Sequence, residues 1–258
     1  MARFSGLTVL VTGATGGFGR RAAERFAAEG ARLVLSDLDP ARLEETASAI
    51  DAETAVLAGD IADENLSKEL VALAEKRFGG LDVALNNAGI VHDMMKLPNI
   101  ASDDARKVIE VDLLGVFYAL KHQLPSMERR FRAEEKRSAI VNIASVAGIA
   151  GAPRLSVYAA AKHGVVGLTR SAAAEYATKG VRINAVCPSF ARTAMVEKSL
   201  PAAEEDRKAS EAELVRGVPM RRLAEVDEIV EVILFAASPE NGFMTGQTLA
   251  ADGGITSI

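Results

Sequence analysis

The sequence predicts an α/β fold in which a single doubly wound parallel sheet of about seven strands has helices on both faces. Short apolar runs alternate with longer helical patterns along nearly the whole chain, which is typical of strands joined by crossover helices. Such crossovers are right-handed, and they place helices on both sides of the sheet. No internal repeat and no Pro/Gly/Ser-rich linker interrupts the alternation, so residues 1–258 are predicted to form one domain.

The elements of the first half follow one another in a regular order. Residues 7–11 form a short apolar run that ends in a glycine-rich turn, which indicates a buried strand. Helical spacing of apolar residues then runs from Arg20 to Glu29, and Gly30 is placed to end that helix. Similar patterns predict strands at residues 32–36, 54–57 and 82–86, a helix that opens with Pro40, and a helix that Asp63 caps and that ends near Phe78.

The second half continues the alternation with longer helices. A long helix is predicted from about Ser102 towards Arg130, followed by a strand at residues 139–144. Helices at 156–179 and 226–237 then alternate with strands at 182–186 and 247–250. Residues 200–217 are rich in Ala and Glu, which predicts an exposed helical segment. This segment is either an ordinary surface insertion or part of a substrate lid at about residues 190–222. The lid is favoured because ligands bind beyond the carboxyl ends of parallel strands.

Composition limits the class of protein further. Hydrophobic residues make up 49% and charged residues 25%, which favours a folded core. The net charge of -5 argues against nucleic acid or an anionic membrane as the main partner. Cys187 is the single cysteine, so no intrachain disulfide is possible. No signal-peptide core and no long apolar stretch is found, so we expect a soluble cytoplasmic protein.

A glycine-rich turn follows the first predicted strand and opens the first helix. Glycines in such a turn let backbone N–H groups approach a pyrophosphate, and the helix N-terminus favours the negative charge. The strand–turn–helix context therefore indicates a Rossmann-type dinucleotide site rather than a simple tight turn. The turn consists of Thr12, Gly13, Ala14, Thr15, Gly16, Gly17, Phe18 and Gly19.

Asp37 at the end of the second strand suggests which dinucleotide binds. It lies 18 residues after Gly19, close to the spacing of about 20 residues expected for an acid that accepts hydrogen bonds from the adenosine ribose. A carboxylate there would repel a 2′-phosphate, so NAD is favoured over NADP. Alternatively, Asp37 or its neighbour Asp39 only caps the next helix; Asp39, directly before Pro40, is the better cap.

The chain resembles the short-chain dehydrogenase/reductase family, in its short single-domain branch, over essentially its whole length. The glycines also fit the pattern of the longer epimerase/dehydratase branch, but the intact run at residues 86–89 and the lack of a C-terminal substrate domain favour the short branch. The motifs that carry the resemblance occur in the family's order at residues 12–19, Asp60, 86–89, Ser145, 158–162, 187–188 with Thr193, and 252–254.

The resemblance implies further cofactor-binding positions. Asp60 and Ile61 would flank the adenine, and Thr193 would bind the nicotinamide carboxamide. The remaining positions that match the family's cofactor contacts are Leu38, Asn87, Ala88, Gly89, Tyr158, Lys162, Pro188 and Ala191.

Tyr158, Lys162, Ser145 and Asp112 form the candidate catalytic set. Tyr158 and Lys162 are four residues apart on a predicted helix, so they share one face. A phenol with a pKa of about 10 is a poor acid at neutral pH, but a nearby ammonium favours the phenolate. Ser145 ends the fifth predicted strand, where its hydroxyl can donate to a developing alkoxide. In the resembled family Tyr is the general acid/base, Ser binds the substrate oxygen, and Lys tunes Tyr and binds the nicotinamide ribose.

Two residues depart from the family pattern. Asp112 stands where the family usually has Asn, whose backbone carbonyl holds a water that links Lys to solvent. Asp offers the same carbonyl, and its carboxylate would either strengthen the Lys162 ammonium or disturb the proton relay. Ser189 follows Pro188 where Gly is usual, which would alter backbone contact near the nicotinamide.

The sequence thus predicts an NAD-dependent oxidoreductase that moves a hydride between the cofactor and a secondary alcohol or ketone. The alternatives are a dinucleotide-binding sensor without turnover and an epimerase or dehydratase that uses transient oxidation. Candidate pocket residues are mostly apolar, which favours a cyclic or aromatic substrate. No metal is expected, because no His/Cys/Asp cluster has ligand spacing. The resemblance also implies a homo-oligomer, a tetramer or a dimer, with the helices near 102–130 and 156–179 between subunits.

Overall fold

The strands and helices are defined for the residues that the computed structural model describes, which are 2–197, 201 and 203–257. The strands are β1 Thr8–Thr12, β2 Arg32–Ser36, β3 Thr54–Val56, β4 Val83–Asn86, β5 Ser138–Ile143, β6 Val181–Pro188 and β7 Thr248–Ala251. The α-helices are α1 Gly17–Ala28, α2 Pro40–Ser48, α3 Glu64–Phe78, α4 Ser102–Ile109, α5 Gly115–Glu134, α6 Ser156–Tyr176, α7 Ala194–Glu197, α8 Glu204–Leu214 and α9 Val226–Ala237. Each predicted strand is present, with ends that differ by at most two residues.

The seven strands form one sheet in the order β3-β2-β1-β4-β5-β6-β7, and every neighbouring pair is parallel. The chain runs outwards from β1 to β3, returns past β1 to β4, and then continues to β7. The order therefore reverses between β1 and β4, and the loops after these two strands diverge to open a crevice at the carboxyl edge. The prediction of a doubly wound, Rossmann-type sheet is confirmed.

Helices cover both faces of the sheet, and the strands are apolar throughout for that reason. Side chains alternate along β1, so that Val9 and Val11 enter one core and Leu10 enters the other. The first core holds Phe26 of α1 and Ile233 of α9, and the second holds Leu70, Leu124 and Val165 from α3, α5 and α6. None of the described helices is both long and apolar enough to cross a membrane.

The helix α1 begins at Gly17, three residues before the predicted start at Arg20, so that prediction was wrong at its N-terminal end. Glycine has a low helix propensity, and the apolar pattern became visible only beyond Gly19. Gly19 is helical nevertheless because it packs against Gly13 and Asn87, and a Cβ there would lie 2.0 Å from the Gly13 carbonyl oxygen. This earlier start brings the N-terminus of α1 to the glycine turn itself.

The predicted long helix from Ser102 towards Arg130 is not continuous, which corrects that prediction. A π-helical segment, Glu110–Leu114, separates α4 from α5. Such a segment holds one residue more than an ordinary turn and often occurs at functional sites. It places Asp112 in the interior, facing β4 and α6.

Arg182 on β6 is a buried arginine that binds carbonyl groups instead of an acid. Its guanidinium donates to the carbonyl oxygens of Ala236, Ala237, Ser238 and Met244 at 2.9–3.4 Å. Three of these carbonyls belong to the end of α9, where the helix dipole is negative. Arg182 therefore joins α9 and the chain before β7 to the sheet, and burial lowers the pKa of its guanidinium.

Asp82 forms a second structural polar contact, far along the sheet from its carboxyl edge. Its Oδ2 accepts from the Thr8 N–H at 2.8 Å, and its Oδ1 lies 2.6 Å from Arg130 Nη1. The carboxylate is thus shared between one backbone donor and one cation, at the start of β1 and β4.

Candidate active site

The turn after β1 packs directly against the loop after β4. Gly13 has a φ of 65°, and a Cβ there would lie 2.8 Å from Asn87 Nδ2. A Cβ on Gly19 would lie 2.0 Å from the Gly13 carbonyl oxygen. Asn87 Nδ2 donates to the carbonyl oxygens of Thr12 and Gly13 at 3.0 and 3.1 Å. Asn87, expected to support the cofactor, therefore also fixes the shape of the glycine turn.

The N-terminus of α1 has the properties of an anion-binding site. Gly16 provides no side-chain cap, and the first turn contains no acidic residue. N–H groups of a first helical turn have no acceptors within the helix, and the dipole favours negative charge. Phe18 packs partly buried against the core, so it can offer a ligand only its backbone. These residues fit the pyrophosphate of a dinucleotide.

The carboxylate of Asp37 lies next to the glycine turn, and Asp39 caps the N-terminus of α2. Asp37 Oδ2 accepts from both the N–H and the hydroxyl of Thr15 at 2.9 Å, and Oδ1 accepts from the Leu38 N–H. Asp39 accepts from two backbone N–H groups at the start of α2, so the alternative that Asp37 caps this helix is wrong. Arg42 donates to the Thr15 carbonyl oxygen at 3.1 Å, a contact that sequence reasoning missed.

The other residues expected at the adenine end lie beside the same crevice. Leu38 is largely exposed directly after Asp37, and Asp60 is exposed, with its carboxylate accepting from the Ala62 N–H. Ile61 packs near Gly115, where a Cβ would lie 3.2 Å from the Ile61 side chain. Hence these positions are available to an adenosine, although their roles remain predictions.

The amine of Lys162 is the centre of the polar contacts among the candidate catalytic residues. Its Nζ donates to the Ile143 carbonyl oxygen at 3.0 Å, two residues before Ser145. The same Nζ lies 3.0 Å from Asp112 Oδ2 and 5.6 Å from the centre of the Tyr158 ring. Lys162 of α6 therefore contacts the end of β5 and the π-helical segment, and its amine lies near the Tyr158 ring.

Burial and charge oppose each other at Lys162. Burial disfavours the ammonium, but the Asp112 carboxylate, followed by Tyr158 and Cys187, opposes this effect, and the pKa of Lys162 is raised above its usual value. Ser145 is nearly buried, and its Oγ accepts from the Ala147 N–H at 3.1 Å. Its hydroxyl hydrogen is thus left for another acceptor.

Sequence reasoning identified Asp112 but not its contacts. Asp112 Oδ1 accepts from the Ile90 N–H at 2.8 Å, so this carboxylate also holds the chain directly after Gly89. The backbone groups of Ile90 and Ile143 had no signal in the sequence, because any residue type supplies them. A buried acid and lysine 50 residues apart also give no local pattern.

The segment after β6 folds back over the glycine turn. Pro188 ends β6, and Ala191 forms a bridge with Ala224. A Cβ on Gly17 would lie 3.4 Å from Thr193 Cγ2, so the residue expected at the carboxamide is next to the dinucleotide turn. The structure thus brings the predicted cofactor-binding residues of both chain halves together at one edge.

The predicted lid includes the helices α7 and α8. Arg192, which precedes α7, forms ion pairs with Glu211 of α8 and with Glu225 directly before α9. Val215, Val218 and Leu223 form a small buried cluster beneath them. Residues 198–200 and 202 of this range lie outside the described residues, and the lid remains a prediction.

Two further features concern the chemistry that the site can support. Within the described residues, no group of His, Cys, Asp and Glu is arranged to hold a metal ion. Cys187 is buried on β6, and burial raises the pKa of its thiol to about 11. A thiol of this kind is a poor nucleophile at neutral pH.

Comparison with known proteins gives matches over nearly the whole chain. The family model described as enoyl-(acyl carrier protein) reductase matches residues 13–256. Levodione reductase of Leifsonia aquatica is 39% identical over 98% of this chain and 95% of its own length. The 2,5-dichloro-2,5-cyclohexadiene-1,4-diol dehydrogenase of Sphingobium indicum is 36% identical over the full length of both chains. The crystal structure of 3-ketoacyl-(acyl-carrier-protein) reductase from Brucella melitensis complexed with NADH has a TM-score of 0.88 and 30% identity, and covers 98% of this chain and 99% of its own.

Proposed function

From the premise that this chain belongs to the short-chain dehydrogenase/reductase family, and is an oxidoreductase of secondary alcohols and ketones, we propose the roles of its residues and its cofactor. Tyr158 is the general acid/base, Ser145 binds the substrate oxygen, and Lys162 supports Tyr158. The cofactor is NAD(H). The observation that carries the proposal is the buried Lys162 amine. It donates a hydrogen bond to the Ile143 carbonyl oxygen at the end of β5 and lies one helical turn from Tyr158.

Ser145 and Tyr158 act on the substrate oxygen, and Lys162 supports Tyr158. When bound, the nicotinamide accepts or supplies the hydride at the carbinol or carbonyl carbon. In the oxidation direction, the Ser145 hydroxyl donates a hydrogen bond to the oxygen, and Tyr158 takes its proton. The positive charge of Lys162 stabilises the phenolate that accepts this proton. In reduction the same phenol returns the proton to the developing alkoxide.

The preference for NAD rests on Asp37. Its carboxylate is held at the glycine turn by Thr15, where it can accept from ribose hydroxyls and repel a 2′-phosphate. Asp39 performs the helix capping, so Asp37 is free of that task. Saturation kinetics with each cofactor test this preference: NAD(H) should give the higher kcat/KM, and a higher value with NADP(H) would contradict it.

The substrate is a cyclic alcohol or ketone. The support comes from the diol dehydrogenase relative, whose name specifies a cyclohexadiene diol, and from the apolar character of the loop after β4, which includes Met94 and Met95. A panel of cyclic and open-chain secondary alcohols of equal carbon number, followed by NADH absorbance, tests this assignment. Equal or higher kcat/KM for the open-chain members would contradict it.

We propose that the protein is a cytoplasmic homo-oligomer, a tetramer or a dimer. Phe117 on α5 and Phe235 on α9 are large apolar side chains that are partly exposed in the single chain. Exposed aromatic residues on helices are typical of subunit contacts. Light scattering coupled to gel filtration measures the assembly, and a monomer mass at micromolar concentration would contradict it.

The variant Tyr158→Phe tests the catalytic assignment. It removes only the hydroxyl, so turnover should fall by about 10²–10⁴-fold, the usual contribution of general acid/base catalysis. Tyr176→Phe on the same helix is the matched control and should retain activity, because Tyr176 contacts Lys179 instead of Lys162. NADH binding, followed by fluorescence, should persist in both variants.

Each outcome of this experiment separates the proposal from its alternatives. Unchanged kcat in Tyr158→Phe would contradict the role of Tyr158. Absence of turnover in the wild type across the panel, with NADH still bound, would favour the sensor. A cofactor that stays tightly bound and unconsumed during turnover would favour an epimerase or dehydratase.

A further inference from the structure

Asp112 is a fully buried carboxylate that accepts a hydrogen bond with one oxygen and forms an ion pair with the other. Its side chain is 0% exposed and that of Lys162 is 3% exposed. Oδ1 accepts from the Ile90 N–H at 2.8 Å, and Oδ2 lies 3.0 Å from Lys162 Nζ. Because both oxygens are engaged, the side chain is held in one orientation between β4, α6 and its own π-helical segment.

This position requires an acceptor on both sides. The Ile90 N–H and the Lys162 ammonium are both donors, and an ionised carboxylate accepts with both oxygens. An Asn side chain has one acceptor oxygen, so its amide NH₂ would face one of the two donors. The side chain of Asp112 is therefore matched to a cation, and it does not act as a neutral equivalent of Asn.

Gly89 closes the space around this ion pair. A Cβ on Gly89 would lie 3.1 Å from Asp112 Oδ2 and 3.3 Å from Lys162 Nζ. The backbone of the loop after β4 thus packs against both charged groups. Where solvent is excluded, the attraction between opposite charges is stronger than at a surface.

We propose that Asp112 is a positioning residue for the oxidoreduction: its carboxylate keeps the buried amine of Lys162 as an ammonium ion and holds it at the end of β5 beside Tyr158. This inference rests on the proposed function, because the charge of Lys162 supports the proton exchange of Tyr158 and, as the family resemblance implies, the binding of the nicotinamide ribose. In this role Asp112 acts through Lys162 and touches neither substrate nor cofactor.

The groups that face Lys162 show why Asp112 is decisive. They are the Asp112 carboxylate, the Tyr158 phenol on the same helix and the Cys187 thiol from β6. With a pKa of about 11, Cys187 is uncharged in the neutral range. Asp112 is therefore the first of the groups that oppose the burial of the amine, with Tyr158 after it, and together they raise the pKa of Lys162.

The sign of the pH dependence follows. A raised pKa keeps Lys162 charged as the pH rises past its ordinary value of 10.5. In Asp112→Asn the effect of burial prevails, the pKa of Lys162 falls, and the amine loses its proton at a lower pH. The difference between the wild type and the variant should then be smallest in mildly acidic solution and grow as the pH rises.

The test compares Asp112→Asn with the matched control Asp82→Asn. Asp82 also divides its carboxylate between a backbone N–H and a buried cation, but that cation is Arg130, which does not lose its proton. NADH affinity, measured by fluorescence between pH 6 and pH 10, and the pH profile of kcat/KM are the readouts. The ratio of wild-type to Asp112→Asn NADH affinity should rise by about tenfold or more between pH 6 and pH 10, because the charged Lys162 donor becomes neutral in the variant over this range. Asp82→Asn should show no such pH-dependent loss.

A ratio of wild-type to Asp112→Asn affinity that stays constant with pH would overturn the inference, as would the same pH-dependent loss in Asp82→Asn. Failure of the proposed function is distinguishable, since it appears as full activity in Tyr158→Phe. If Asp112→Asn does not fold, ¹³C-lysine NMR of the wild type, with Lys162 assigned through Lys162→Arg, gives the answer. A Lys162 midpoint above those of the surface lysines supports the inference, and a midpoint below them overturns it.

Discussion

Gly19→Ala should destabilise the protein although alanine is the better helix former. The intrinsic gain on replacing glycine within a helix is about 0.5–1 kcal/mol. The new Cβ, however, would lie 2.0 Å from the Gly13 carbonyl oxygen, so the atoms must separate by about 1.4 Å to reach an ordinary contact of 3.4 Å. Asn87 Nδ2 already binds this carbonyl, which therefore cannot yield freely. Overpacking costs about 1–3 kcal/mol, and with a backbone obstacle the upper end applies, for a net loss of about 2 kcal/mol.

Urea unfolding followed by far-UV circular dichroism measures this loss, since the chain contains no tryptophan. The matched control is Gly16→Ala in the same turn, where φ is -159° and the nearest atom to a new Cβ is 3.9 Å away. Its free energy of unfolding should fall by no more than about 1 kcal/mol, the usual cost of alanine at an N-cap. If Gly19→Ala were as stable as Gly16→Ala, the close approach of α1 to the glycine turn would be refuted.

Two further predictions concern buried groups. Arg182→Met should lower the free energy of unfolding by about 2–4 kcal/mol, because four carbonyls lose a charged donor while the burial of one charge is relieved; a loss below about 1 kcal/mol in urea would contradict the role of Arg182. The Cys187 thiol, with a pKa raised to about 11, should resist iodoacetamide at pH 8 in the native protein and react fully in urea, as mass spectrometry can show; native labelling as fast as that of free cysteine would contradict its burial.

The sheet was predictable because its strands are short apolar runs buried on both faces. All five residues of β1 are buried, so a short apolar run was enough to predict the strand and no alternation of apolar and polar residues was needed. The start of α1 was not predictable from propensity, because the glycines that begin it are poor helix formers held by tertiary contact. The π-helical segment was missed for a related reason, since one extra residue hardly disturbs the apolar pattern of a long helix.

The site was predictable where local chemistry decides and not where distant groups meet. Asp39 before Pro40 is a local capping pattern, and it left Asp37 for the dinucleotide turn. The resemblance to a family indicated the position of Asp112. The pairing of Asp112 with Lys162, and its second bond to the Ile90 N–H, depend on three separate chain segments whose approach no local pattern encodes.

The π-helical segment has a consequence for changes in chain length. Deletion of one residue from Glu110–Leu114 would let α4 and α5 merge into one regular helix, which is the intrinsically preferred form. The faces of α4 and α5 would stay in register, because the π-helical segment already absorbs the extra residue, but the wide turn that places Asp112 against its partners would be lost. Selection for thermal stability alone would thus favour shortened chains that are more stable but inactive.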